Sequence, residues 1–120
     1  MAIYILAVNA RKTTPWNPIV CDAIARRVLL AFDYDGEPRV VAPYCHGVTT
    51  AGRETVRAVQ VLGGTRRGDI ASGKLWTIDK IVGLRALDES FIASDPKYNP
   101  DDSAFAEIHC RIDTRKTKKR

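Results

Sequence analysis

The sequence predicts a mainly β fold: a small β-barrel with one short N-terminal helix and a C-terminal strand. Three observations carry the prediction. The pair Asp35-Gly36 stands between two apolar runs in the stretch from Val28 to Tyr44, the second ending at Pro43, and Asp-Gly in that setting is a strong hairpin signal. A type I′ turn needs positive φ at both central residues, and its twist matches that of the flanking strands. Further β-rich runs follow, separated by glycine-containing turns. Near the C-terminus, residues 106 to 113 alternate cleanly between apolar and polar, the period of a half-buried strand.

In chain order, Ala2 to Val8 reads as a strand apolar on both faces, which must be buried or paired. Arg11 to Trp16 is a loop. Asn17-Pro18 then opens a helix, because Asn caps free backbone N–H groups and Pro at the first helical position sacrifices no hydrogen bond. The helix runs to about Arg27, with an apolar stripe of Ile19, Val20, Ala23 and Ile24 and with Arg26 and Arg27 at its negative pole. In the first hairpin strand Leu30, Phe32 and Tyr34 share one face and Leu29, Ala31 and Asp33 the other. The second strand spans about Arg39 to Val48. After a polar turn bracketed by Gly47 and Gly52, a third spans Glu54 to Leu62, with Val56, Ala58 and Gln60 opposite Val59 and Val61. A glycine-rich loop, Gly63 to Lys74, leads to a fourth strand near Leu75 to Ile78 and a fifth from Ile81 to Leu87. Five short strands favour a barrel, whose closure removes exposed edges. Asp88 to Ser103 reads as a loop pinned by Phe91 and Tyr98. In the last strand Ala106, Ile108, Cys110 and Ile112 face inward, and Glu107, His109, Arg111 and Asp113 face solvent.

The 120 residues suit one domain, with an N-terminal strand and loop at 1–16, the barrel at 17–113 and a basic tail at 114–120. Apolar residues make up 45% and charged residues 28%, which excludes a disordered chain. The net charge is +5, and Arg115, Lys116, Lys118, Lys119 and Arg120 account for all of it. The tail either draws an anionic partner or is a solvated end. The apolar run Ala2 to Val8 is far shorter than the roughly 20 residues of a spanning helix, and no positive region precedes it, so a cytoplasmic protein with no membrane partner is expected. Cys21, Cys45 and Cys110 form an odd set with no Cys-x-x-Cys, so they read as reduced thiols.

Several chemistries are set aside on geometry. Cys45-His46 and His109-Cys110 invite a zinc site, but neighbouring strand residues point to opposite faces, so each pair offers one ligand to a common centre and four are not assembled. The same rule separates Cys45 from His46 as nucleophile and base. No Ser-centred nucleophile elbow is present. Gly63-Gly64-Thr65-Arg66-Arg67-Gly68 has phosphate-loop spacing, yet Asp69 stands where the lysine belongs. No enzyme, metal or cofactor is therefore expected. What that loop offers is two guanidinium groups, Arg66 and Arg67, which either contact an anionic ligand or are solvated.

Tyr34, Gly36, Arg39 and Pro43 around the hairpin, Trp76 with Asp79-Lys80-Ile81, and the late Tyr98-Asn99-Pro100 together resemble the WYL domain family, over about Ile19 to Phe91 and onward to Asp113. Two positions differ: Val56-Arg57-Ala58 replaces the naming Trp-Tyr-Leu tripeptide, and Lys80 replaces an arginine. The resemblance implies an Sm-like, SH3-type barrel and a nucleic acid or nucleotide-like ligand, often in the sensing part of bacterial transcription regulators. No helix-turn-helix precedes the barrel. On that basis Arg39, Arg57 and Lys80, from separate strands, form a cationic groove if they point the same way. Tyr34, Tyr44 and Trp76 are stacking platforms or core packing. Gln60 meets a ligand base or a strand end, and His46 is equally open. The expected function is a regulatory module recognising a nucleotide or single-stranded nucleic acid. The alternative is a protein interaction module that forms a homodimer through its N-terminal strand.

Overall fold

The computed structural model describes residues 17–63 and 73–114. The strand expected at Ala2 to Val8, Arg66, Arg67 and residues 115–120 of the basic tail lie outside them. The helix α1 spans Pro18–Arg26, with the Asn17 side chain accepting from the Ile19 and Val20 N–H groups. Nine residues are too few for a stable isolated helix, so packing must hold it. Val20, Ala23 and Ile24 are buried against the sheet. Arg27 ends the helix with φ 59° and its guanidinium donates to the Ile24 carbonyl, satisfying an orphan acceptor of the last turn.

Six antiparallel strands follow: β1 Val28–Tyr34, β2 Glu37–Thr49, β3 Glu54–Gly63, β4 Gly73–Thr77, β5 Val82–Ser90 and β6 Phe105–Arg111. A single 3-10 turn, Ile78–Lys80, links β4 to β5. Asp35 and Gly36 have φ of 55° and 78°, as the I′ turn requires. The order β4-β3-β2-β1-β5, with β6 on β2, is a mainly β, barrel-like antiparallel sheet preceded, among the described residues, by one helix and ended by a C-terminal strand. Closure was the expectation, but among the described residues no ladder joins β4 to β5, and the barrel stays open there. No described helix is long and apolar enough to cross a membrane.

β2 organises the molecule. It pairs with β3 along most of its length, while its other edge pairs first with β1 at residues 37–41 and then with β6 at 45–49. Changing neighbours midway gives β2 a covering on both faces, and Val41 to Gly47 are buried without interruption. The inner face holds Leu30, Phe32, Val41, Val56, Ala58 and Trp76 with the α1 stripe. The outer face is covered by the segment after β5. There Tyr98 donates to the Ile112 carbonyl at 2.7 Å and Tyr44 packs between Phe91 and Tyr98, so the two aromatic pins expected for this loop do hold it.

Two bulges redirect side chains. Between β2 and β3 the register shifts at Tyr44: Pro43 opposes Ala58 and Cys45 opposes Arg57. The extra residue lets Tyr44 and Cys45 lean the same way. Between β2 and β6, His46 opposes Cys110 and Gly47 opposes Ile108, leaving His109 extra. This corrects the facing read for the last strand. His109 and Phe105 are buried and Ala106 is exposed, because strict alternation does not survive a bulge.

Candidate functional site

On the inner face, Tyr34, Arg39, Gln60 and Trp76 meet. The Arg39 guanidinium lies 5.7 Å from the centre of the Trp76 ring, donates to the Tyr34 carbonyl at 3.2 Å and reaches Gln60 Oε1 at 3.5 Å. The Tyr34 hydroxyl accepts from the Thr77 N–H, and the Trp76 indole N–H donates to the Ala58 carbonyl. Four of the expected ligand residues therefore converge, but on one another. Trp76 is 3% exposed and the Arg39 side chain 12%. This is a cation held on a sealed aromatic cluster.

Arg57 is on the other face. It shares the outer side of β3 with Val59 and Val61, while Val56, Ala58 and Gln60 point inward. Arg39 reaches Gln60 and Arg57 does not, so the two arginines are separated by the sheet. Lys80 sits exposed in the 3-10 turn. A single groove built from Arg39, Arg57 and Lys80 is thus corrected to three separate placements. Arg57 forms a two-point ion pair with Asp102, Nε at 2.7 Å and Nη2 at 3.0 Å, and Nη1 donates to the Gly73 carbonyl.

Burial of Asp102 works against its charge, but the Arg57 hydrogen bond and the Ala104 N–H prevail and hold its carboxyl below the usual range. A lowered folded pKa means stability that is present above the unfolded value, about 3.9, and lost as pH falls through the folded one. Asp102→Asn is therefore expected to destabilise at pH 7, and the gap to the wild type should close toward pH 3. Urea denaturation at both pH values reads it. Arg57→Ala, which strands the carboxylate, should cost about 2 kcal/mol, less than a fully buried pair because Arg57 is partly exposed.

Around that pair lies a groove between the outer face of β2 and β3 and the residues after β5. A cavity of about 190 Å³ with charged side chains in its wall is lined by Tyr44, Arg57, Lys97, Tyr98, Asn99 and Asp102, among others. A second cavity of about 300 Å³ is apolar, with Ala42, Val59, Val61, Phe91, Ile92 and Pro96 in its wall. Tyr44 and Asp95 line both, tied by the Asp95 N–H donating to the Tyr44 hydroxyl. Ile92 at 83% exposure and Val61 at 41% stand at the mouth. Of the residues singled out from sequence, Tyr44 and Arg57 belong here. Lys97, Asn99 and Asp102 were missed, although Tyr98-Asn99-Pro100 had drawn notice for another reason.

His46 lies elsewhere, fully buried, with Nε2 2.7 Å from Glu54 Oε2 and Nδ1 4.0 Å from Cys21 Sγ. Burial pushes its pKa down, partly offset by Glu54. Cys21 is disulfide-bonded to Cys110, which corrects the reading of three reduced thiols. The remaining cysteine, Cys45, is buried, and burial pushes its thiol up to about 12, so it is inert at neutral pH. Each of the pairs Cys45-His46 and His109-Cys110 gives one donor to a common centre, as strand geometry requires, but Cys21 from α1 joins His46 and Cys110 there, a meeting that the sequence reading missed.

Comparison with family models, with curated proteins and with solved structures gave no match. Fold and site together define a class, a small, mainly β module with an outer-face groove and a separate Cys/His cluster beneath its helix.

Proposed function

We propose that this domain is a non-catalytic recognition module that takes a mononucleotide-sized ligand in the outer-face groove. The observation that carries the reading is the junction of two unlike chambers at Tyr44 and Asp95. An apolar, partly aromatic chamber of about 300 Å³ suits a planar base, and the adjoining chamber, with charged side chains in its wall, offers Arg57 and Lys97 to one anionic group. Asp95 and Asp102 balance those two cations. Near-neutrality favours a ligand with a single phosphate over a polyanionic strand, whose binding draws on many cations. The resemblance to the WYL domain family supports the same ligand class and, with it, a cytoplasmic sensing role within a regulator.

Calorimetric titration with nucleoside monophosphates and with a single-stranded oligonucleotide, each at two salt concentrations, tests the proposal. The expected result is mononucleotide binding with a weak salt dependence, lost in Val59→Trp, which fills the apolar chamber. Ligand at 100 times its Kd should also stabilise the domain by about 2.7 kcal/mol. Absence of heat with every monophosphate at millimolar concentration, or unchanged binding in Val59→Trp, overturns it.

A further inference from the structure

We propose that Cys21, His46 and Cys110 form a zinc site that alternates with the Cys21–Cys110 disulfide. The three donor atoms, two sulfurs and the His46 Nδ1, lie within 4.8 Å of one another. They come from α1, β2 and β6, three regular elements of one packed core, so the cluster is not gathered from a loop. Thiolate sulfur and imidazole nitrogen are the donors zinc prefers, at about 2.3 and 2.0 Å.

The orientation of His46 is the second argument. Its Nε2 is engaged by Glu54 at 2.7 Å, which leaves Nδ1 facing Cys21. A histidine whose far nitrogen is held by a carboxylate is the usual outer support of a zinc ligand, since it sets the tautomer and aims the lone pair. A purely structural disulfide gives no reason for a buried imidazole–carboxylate pair directed at its sulfurs. The buried His109 ring, whose Nε2 lies 3.2 Å from the exposed Glu107 carboxylate, packs 5.1 Å from the His46 ring.

The exchange balances. A dithiol reductant takes up the S–S bond, becoming a disulfide itself and leaving Cys21 and Cys110 as thiols. Hydrated zinc then forms two Zn–S bonds and one Zn–N bond, releasing the two thiol protons and all but one of its waters, the last water completing the tetrahedron. The same sulfurs serve both states, so oxidation expels the metal. In either state α1 stays tethered to β6, but only the reduced state carries a cation. The site is independent of the outer-face groove, and failure of one leaves the other standing.

Cobalt(II) is the probe, because tetrahedral thiolate coordination gives a thiolate-to-metal band and intense visible ligand-field bands. The full chain, reduced with a phosphine and desalted under anaerobic conditions, is titrated with cobalt and back-titrated with zinc. One cobalt per chain with tetrahedral bands is expected, displaced by zinc, retained in Cys45→Ala, absent from the oxidised chain and weakened at least tenfold in His46→Asn. Circular dichroism accompanies each step. A reduced chain that unfolds and regains its spectrum on adding zinc supports the site, and one that stays unfolded with zinc overturns it. Bands that persist in the oxidised chain, that survive Cys21→Ser with Cys110→Ser, or that never appear also overturn it.

Discussion

Gly47→Ala is expected to be the most damaging single-methyl change in the described fold. A Cβ on Gly47 would fall on the Glu107 carbonyl oxygen and within 2.9 Å of the Ile108 Cα, both backbone atoms of β6. No side chain can swing aside, so β6 must leave β2 or the bulge at His109 must be lost. Overpacking against backbone costs roughly 3 kcal/mol or more, which for a domain of this size lowers Tm by about 10 °C or more. Gly52→Ala is the control. Gly52 has φ +83° with nothing within 4 Å, so only left-handed strain of about 1 kcal/mol applies. Urea denaturation of both variants reads the difference, and a Gly47→Ala cost no larger than that of Gly52→Ala would show that β6 does not approach β2 so closely. The consequence extends to the Cys/His cluster. His109 and Cys110 reach His46 because a glycine lets the bulged strand come in.

Reduction of the Cys21–Cys110 disulfide in metal-free buffer is expected to destabilise the domain by about 3 kcal/mol, again near 10 °C in Tm. The link joins residues 89 apart in sequence, and closing so long a loop removes much of the freedom of the unfolded chain. It also ties α1 to β6, the first and last described elements. The short helix depends on that tether and on Val20, Ala23 and Ile24 alone. Thermal denaturation with and without a phosphine reductant, in the presence of a chelator, measures the effect. Cys21→Ser with Cys110→Ser should match the reduced protein. A shift below about 2 °C would mean that packing, not the crosslink, holds the helix.

The candidate site was partly legible, and part of what was missed lay within reach. Alternation along β3 already grouped Gln60 with Val56 and Ala58, which places Arg57 on the opposite face with Val59 and Val61. The same rule that rejected a metal cluster, applied to Arg57, separates it from Gln60 and hence from the Arg39 that meets it. Tyr44 and Arg57 were singled out separately and line one cavity, but their neighbours there, Lys97, Asn99 and Asp102, sit in a segment without periodicity. Asp102 is 45 residues from Arg57, and no local pattern announces such a pair. The cysteines illustrate the converse. Counting them excluded a crosslink, yet count and spacing say nothing about two residues 89 apart that a helix and a bulged strand bring together.

From sequence alone came the mainly β class, the helix opened by Asn17-Pro18, the Asp35-Gly36 hairpin and the five successive strands. Each rests on interactions within a few residues: a cap, a turn with two positive φ angles, a local period. Only the tertiary structure decided which face each charged side chain occupies beyond a bulge, that β2 exchanges β1 for β6 as its neighbour, and that Cys21, His46 and Cys110 meet. One inserted residue reverses every facing after it. Whether a strand takes that residue is settled by the close approach of distant backbone, as at Gly47, and not by the order of residues along the strand itself.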